Sequence, residues 1–145
     1  MGPGPHEAGA LIAERRQFDL QEAVDGKQWL ISIASPAGYD KYVNFEMAEL
    51  AKTLDFINIM TYDYHGGWDS YTGLNSPMVN IDPNPSAAKW SVTGTMDIYL
   101  NGSNGNPGVA PSKLVLGMPF YGRGWNSVQP GPNGNGLGQP GTEAV

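Results

Sequence analysis

Hydrophobic positions along this chain fall into three short runs that read as strands and three longer stretches with helical spacing. Phe56-Ile57-Asn58-Ile59-Met60 is apolar except at Asn58, as expected of a strand whose sheet is covered by helices on both faces. A second run, Trp29-Leu30-Ile31-Ser32-Ile33-Ala34, is ended by Pro36 and Gly38, and a third, Lys113-Leu114-Val115-Leu116-Gly117-Met118-Pro119-Phe120, lies far downstream. Met47, Leu50, Ala51 and Leu54 recur at i, i+3, i+4 and i+7, with Asn44 placed to cap the helix and Glu46 at the positive end of its dipole. Ala8, Leu11, Ile12 and Phe18 share a face over about Ala8 to Leu20, interrupted by Arg15. Ala88, Val92, Met96 and Tyr99 mark a further helix that ends at Asn101-Gly102. The order strand, helix, strand, loop, helix, strand predicts an α/β fold with a parallel sheet.

The last two strands break abruptly into aromatic and polar residues. Thr61-Tyr62-Asp63-Tyr64-His65-Gly66-Gly67-Trp68-Asp69 follows Met60, and Tyr121-Gly122-Arg123-Gly124-Trp125 follows Phe120. The loop from Gly66 to Pro85 is long and rich in Gly, Asn, Asp and Pro, and it leaves a strand's carboxyl end, where α/β enzymes place their sites.

Composition narrows the chemistry. The net charge of −6, with eight Lys and Arg in 145 residues, supplies no positive field for a phosphate backbone, so nucleic acid is not an expected partner. A neutral polysaccharide needs no opposite charge, because aromatic faces stack on sugar rings. The absence of cysteine excludes disulfides, thiolate catalysis and thiolate zinc sites. No apolar run reaches the ~18 residues of a membrane span, so no membrane partner is expected. Met1-Gly2-Pro3-Gly4-Pro5 lacks the basic-then-apolar order of a secretory signal. The two histidines, His6 and His65, have no metal-spaced companions, so neither a metal nor a cofactor is expected.

Met60-Thr61-Tyr62-Asp63 and Met118-Pro119-Phe120-Tyr121-Gly122-Arg123 resemble the ends of the sixth and seventh barrel strands of family 18 glycoside hydrolases, the chitinases. Ile31-Ser32-Ile33-Ala34-Ser35-Pro36-Ala37-Gly38 resembles the fifth. The resemblance spans about Gln28 to Trp125. It implies a partial (β/α)8 barrel of three parallel strands with their helices over 29–125, an N-terminal helix segment over 1–28, and a Gly/Pro-rich start of an insertion domain over 126–145 that alone would be disordered. A complete barrel needs roughly 250 residues, so the chain is expected to be a fragment. Its three parallel strands would leave open edges through which copies associate. The parent is expected to be secreted.

The same resemblance implies roles. Tyr62 would hold the substrate's acetamido group, Asp63 would bond a hydroxyl of the same sugar, and Met60 would floor the acetamido pocket. Tyr121 and Arg123 would contact neighbouring sugars, while Trp68, Met118 and Trp125 would line the cleft. The partner implied is chitin or chito-oligosaccharides, cleaved by substrate-assisted retaining catalysis. The family's proton donor is the Glu closing an Asp-Gly-x-Asp-x-Asp-x-Glu run, which is absent from these 145 residues. The chain alone is therefore expected to be inactive, and the alternative is a chitin-binding lectin of the same fold.

Other residues have structural readings. Glu46 and Glu49 suit a solvated helix face beside Lys52. His65 reads as a hydrogen-bonded structural histidine, and Trp29 and Trp90 as packed within the fold. The glycines from Gly131 to Gly138 lack the Lys-Ser or Lys-Thr of a phosphate cradle. Asn101-Gly102-Ser103 is a glycosylation sequon and otherwise an ordinary turn.

Overall fold

The computed structural model describes residues 5–81 and 89–144. Its centre is a parallel sheet in the order β1-β2-β3, formed by β1 Ser32–Pro36, β2 Phe56–Met60 and β3 Leu114–Leu116. Ser32 lies opposite Phe56 and Pro36 opposite Met60 in one ladder; Ile57 lies opposite Leu114 in the other. β2 occupies the residues its pattern predicts. β1 starts three residues later than its apolar run, since Trp29 and Leu30 are exposed. It includes Pro36, which an edge strand tolerates because the missing N–H has no ladder partner to lose. β3 stops at Leu116, four residues short of the apolar run.

β2 alternates strictly. Ile57 and Ile59 are fully buried, whereas Phe56, Asn58 and Met60 are half-exposed. The expectation that helices cover both faces is thus corrected: among the described residues one face carries the core and the other is open. Burying a side chain of that size contributes about 1.5–3 kcal/mol. The core face holds Tyr42, Met47, Leu54, Ile57, Ile59 and Tyr99.

Helix α1 runs Pro5–Asp25, longer than the stretch that its apolar residues mark. Leu11 and Phe18 pack on the core, but Ile12 is exposed, and the side chain of Ala8 lies outside the described residues. Arg15 does not interrupt the helix's packing; it makes it. Its guanidinium bonds Asp19 (2.7 Å) and Glu22 (3.0 Å) on α1, the Trp29 carbonyl (2.8 Å), and Asp55 (3.2 Å) just before β2. Asp55 also accepts the Ile31 N–H at 2.7 Å, so one carboxylate joins α1 to the start of the sheet. Trp29 is 41% exposed, its ring 6.2 Å from Phe18, so it lies against the end of α1 rather than within the core. Trp90 is half-buried against the core, as expected.

A short helix, α2 Tyr39–Tyr42, precedes α3 Met47–Thr53. Asn44 does not cap α3. The cap position is Glu46, with no side-chain bond, and Asn44 Nδ2 donates instead to the Asp40 carbonyl of α2 at 2.7 Å. Met47, Leu50, Ala51 and Leu54 are buried as their spacing predicts. The carboxyl end of α3 is closed from a distance, because Lys113 Nζ donates to the carbonyls of Ala51 (2.6 Å) and Leu54 (2.5 Å).

Helix α4 runs Val92–Asn101. Ser91 Oγ accepts the Gly94 N–H at 3.1 Å as its N-cap, and Gly102 ends it at φ 81°. The predicted start at Ala88 lies outside the described residues. α4 supplies Tyr99 and Thr95 to a buried polar cluster under the end of β1. The Tyr99 hydroxyl lies 2.6 Å from Ser35 Oγ and donates to the Pro36 carbonyl at 2.8 Å, while Thr95 Oγ1 contacts the Tyr64 hydroxyl at 2.5 Å and bonds the Ala37 carbonyl at 2.9 Å.

The Gly/Pro-rich tail is ordered by what it touches. β4 Trp125–Asn126 pairs antiparallel with β5 Thr142–Glu143, and between them the chain bonds back to the β2–α4 loop. Thr72 is the main stitch: its N–H donates to the Gln139 carbonyl, its carbonyl accepts from Gly138, and its hydroxyl donates to the Gly136 carbonyl and accepts from Gln139 N–H. A segment with hardly an apolar side chain thereby satisfies its backbone on a neighbouring loop.

Candidate functional site

The site begins where β2 ends. Past Met60 the ladder stops, and the Thr61 and Tyr62 N–H groups bond back to the Ile59 (2.9 Å) and Met60 (2.7 Å) carbonyls, a tight turn that lifts Tyr62 and Asp63 above the sheet's carboxyl edge. β3 delivers its residues to the same edge. Gly117 N–H donates to the Ile59 carbonyl at 2.9 Å, and Thr61 Oγ1 returns a bond to the Gly117 carbonyl at 2.6 Å. Gly117 is required by close approach, since a Cβ there would lie 2.5 Å from that carbonyl oxygen and 2.9 Å from the Tyr62 ring.

Four of the sequence-selected residues converge. The Tyr62 and Tyr121 rings meet edge-on, centroids 6.1 Å apart at 76°. Arg123 Nε donates to Asp63 Oδ1 at 2.8 Å, and Nη2 lies 2.7 Å from the same oxygen as an ion pair. Its guanidinium carbon stands 5.1 Å from the Tyr121 ring centre and 5.2 Å from that of Trp68. Asp63 adopts φ 58°, a left-handed conformation that costs energy for a residue with a Cβ but is tolerated best by Asp and Asn. The Asp63 carboxylate holds the Arg123 guanidinium above its ordinary pKa. The Tyr121 hydroxyl is also raised, first by partial burial and then by Asp63, with Arg123 opposing.

The remaining selected residues sit around this group without joining its bonds. Trp68, 59% exposed, lies over Gly66, where a Cβ would collide with its ring. Met60 is half-buried at the end of β2, opposite Pro36. Met118 is 70% exposed. Trp125 is tied elsewhere: its indole N–H donates to the Asp69 carbonyl at 3.0 Å, and its ring lies against Gly141. His65 behaves as a structural residue, its Nδ1 3.1 Å from Asp69 Oδ2, which also accepts the Gly66 N–H at 3.2 Å. A cavity of about 520 Å³ between this loop and the tail is lined by His65, Thr72, Leu137 and Gln139 among others, and by none of the four converging residues.

One residue of the group escaped sequence reasoning. Asn75 lies in the polar β2–α4 loop, where nothing in the pattern separates it from its neighbours, yet Asp63, Tyr64 and Tyr121 all bond to it. The sole hint is chemical: an Asn side chain carries both a donor and an acceptor and can pair with backbone as another peptide would.

Among the described residues no cluster of three His, Asp or Glu is placed to hold a metal ion, and no helix is long and apolar enough to cross a membrane. Lys52 pairs with Glu49, as expected of a solvated face, and Asn101 Nδ2 donates to Asp97 at 2.7 Å.

Known proteins resemble this chain in sequence and in fold. Chitinase 1 of Aphanocladium album is 40% identical over 132 residues, 90% of this chain and 29% of its own length. Among solved structures, chitinase ChiA74 from Bacillus thuringiensis superposes with a TM-score of 0.78 at 40% identity, over 92% of this chain and 20% of that one. A mutant of the Group II chitinase catalytic domain 2 of Ostrinia furnacalis, solved in complex with penta-N-acetylchitooctaose, superposes with a TM-score of 0.75 at 32% identity, over 92% of this chain and 32% of its own. The chain therefore spans less than a third of the length of each of these relatives, and its three parallel strands with their helices are part of an α/β barrel. Since the sequence pattern of glycosyl hydrolases family 18 matches residues 6–144, the chain belongs to that family.

Proposed function

We propose that this chain is the sugar-holding part of a chitinase that cleaves β-1,4 links in N-acetylglucosamine polymers with retention of configuration. The observation that carries the reading is the convergence of Tyr62, Asp63, Tyr121 and Arg123 at the carboxyl ends of two adjacent parallel strands. In this reading the acetamido carbonyl oxygen of the substrate attacks its own anomeric carbon as the glycosidic bond breaks, and water later opens the cyclic intermediate. Tyr62 orients the acetamido group and Asp63 accepts a hydrogen bond from it or from a neighbouring hydroxyl. Met60 floors the acetamido pocket. Tyr121, Arg123, Trp68 and Met118 border the adjoining sugars, and Trp125 borders them from the side of Asp69.

The leaving oxygen takes its proton from a Glu that residues 1–145 do not encode in the family's acidic motif, so this chain binds chito-oligosaccharide without cleaving it. Residues 29–125 are the barrel part, 1–28 an N-terminal helix segment and 126–145 the opening of an insertion domain. Insoluble polymer cannot cross a membrane, so the longer protein works outside the cell.

Titrating this chain with chitopentaose and following tryptophan fluorescence tests the reading: saturable binding with no release of reducing ends is expected, and no binding refutes it. In a longer family 18 protein carrying this segment and the Glu, Tyr62→Phe should lower turnover roughly a hundredfold while leaving the melting midpoint in place. Unchanged turnover removes Tyr62 from the mechanism.

A second reading, a chitin-binding lectin of the same fold, is favoured by one feature. The cluster's own carboxylate, Asp63, is already paired with Arg123, a ground-state arrangement suited to holding sugar. The longer protein separates the two, because a lectin binds chitopentaose and leaves it whole.

A further inference from the structure

Asn75, in the β2–α4 loop, bonds the chain past both strand ends of the site. Its Oδ1 accepts the Asp63 N–H at 2.9 Å, its Nδ2 donates to the Tyr121 carbonyl at 3.0 Å, and its own carbonyl accepts the Tyr64 N–H at 3.1 Å. The next residue repeats the attachment, since Ser76 Oγ donates to the Thr61 carbonyl at 2.6 Å.

We infer that Asn75 is a positioning residue for the sugar site: its side-chain amide holds Asp63 in the left-handed conformation and fixes Tyr121 at the height where Arg123 reaches the Asp63 carboxylate. Asp63 at φ 58° lies outside the regions that residues with a Cβ prefer, and a hydrogen bond to its N–H is what keeps the peptide turned that way. Tyr121 follows β3 after the ladder has ended, so its main chain gains no support from β2, and the Asn75 amide supplies it. Both partners are backbone groups, so the amide dictates where two side chains start without touching either of them. No other side-chain type has this donor and acceptor at this length; Asp lacks the donor, and Gln is one methylene longer.

This inference rests on the sugar-binding reading above, and the test reads the two separately. The first readout needs no sugar: the NMR resonance of the Arg123 Nε–H in the 145-residue chain, which the bond to Asp63 shifts downfield and protects from exchange. In Asn75→Ala that resonance should move upfield and lose protection. Asn44→Ala, which deletes a comparable side-chain bond to the Asp40 carbonyl outside the site, should leave it unchanged. The second readout is chitopentaose affinity, expected to fall about tenfold in Asn75→Ala and to hold in Asn44→Ala. If Asn75→Ala does not fold, Asn75→Asp carries the test, because it keeps the acceptor for Asp63 and deletes the donor to Tyr121; the Arg123 resonance should broaden and affinity fall. An Arg123 resonance unaltered in every folded Asn75 variant overturns the positioning role. A resonance that moves in a chain whose wild type binds no chitopentaose leaves the positioning intact and refutes the sugar reading instead.

Discussion

Arg123 reaches back across the gap between two strand ends and places both Nε and Nη2 on the same oxygen, Oδ1 of Asp63, at 2.8 and 2.7 Å. Each side chain is about one third exposed, so solvent screens the pair and it adds little to folding. Its effect is on geometry: the carboxylate is aimed, and the guanidinium is held within reach of Tyr121 and Trp68.

Arg123→Ala should therefore separate stability from binding. The thermal midpoint should stay close to that of the unaltered chain, while chitopentaose affinity falls roughly tenfold as Asp63 loses its aim and Tyr121 its neighbour. Paired calorimetric and fluorescence titrations check this, and an equal loss in both would make the pair a structural strut.

Gly117→Ala should cost stability. The new methyl would meet the Ile59 carbonyl oxygen and the Tyr62 ring, so β3 must separate from β2 or the ring must move. A destabilisation of about 1–3 kcal/mol is expected for forcing extra volume into a packed contact, measurable by urea unfolding. A variant as stable as the parent would mean that the strand ends are looser than their bonds imply.

The buried tyrosines predict a response to base. Tyr42 Oη is buried with no hydrogen-bond partner among the described residues, and burial alone raises its pKa. Burial also pushes Tyr64 up to about 12, with Thr95 opposing, and moves Tyr99 upward too. Because these groups keep their protons longer when folded, the stability they hold is complete below the unfolded value near 10 and is lost as pH rises from there through about 12. Alkaline unfolding should steepen in that window, and Tyr64→Phe should flatten it. Tyr42→Phe removes a buried polar atom with no partner among the described residues, so it should leave stability unchanged or raise it by up to about 1 kcal/mol. A clear loss in urea melts would reveal a partner for that hydroxyl.

Association is the fourth expectation. The outer edges of β1 and β3 have no ladder partner among the described residues, and Val115, Leu116, Met118 and Phe120 are exposed along and beyond β3, Phe120 at 96%. Unpaired edges and exposed apolar side chains invite pairing with another copy. Sedimentation at increasing concentration should show growing species, and a monomer that melts sharply at every concentration would argue the opposite.

These outcomes track what the sequence can carry. β2 and the buried face of α3 are legible because an apolar run and a 3.6-residue period are local signals, and the four converging residues are legible because the two strand ends resemble those of a known family. Arg15 is not: it looks like a break in an apolar stripe, and only its reach to Asp55, forty residues away, makes it an anchor. Asn44 has the right chemistry for a cap, but α2 takes its amide first. Asn75 is silent because its partners are backbone groups, which leave no trace in residue identity. The tail misleads for a related reason, since its order is borrowed through main-chain bonds from another loop.

That borrowed order has a mechanical corollary. Thr72 sews tail and loop together, Asp69 grips Trp125 from the same loop, and Asn75 anchors the loop's far end beneath Tyr121. A single nick between Gly131 and Gly138 would thus unfasten more than a floppy-looking appendage, because the loop that carries Asp69 and Asn75 would lose its hold through Thr72.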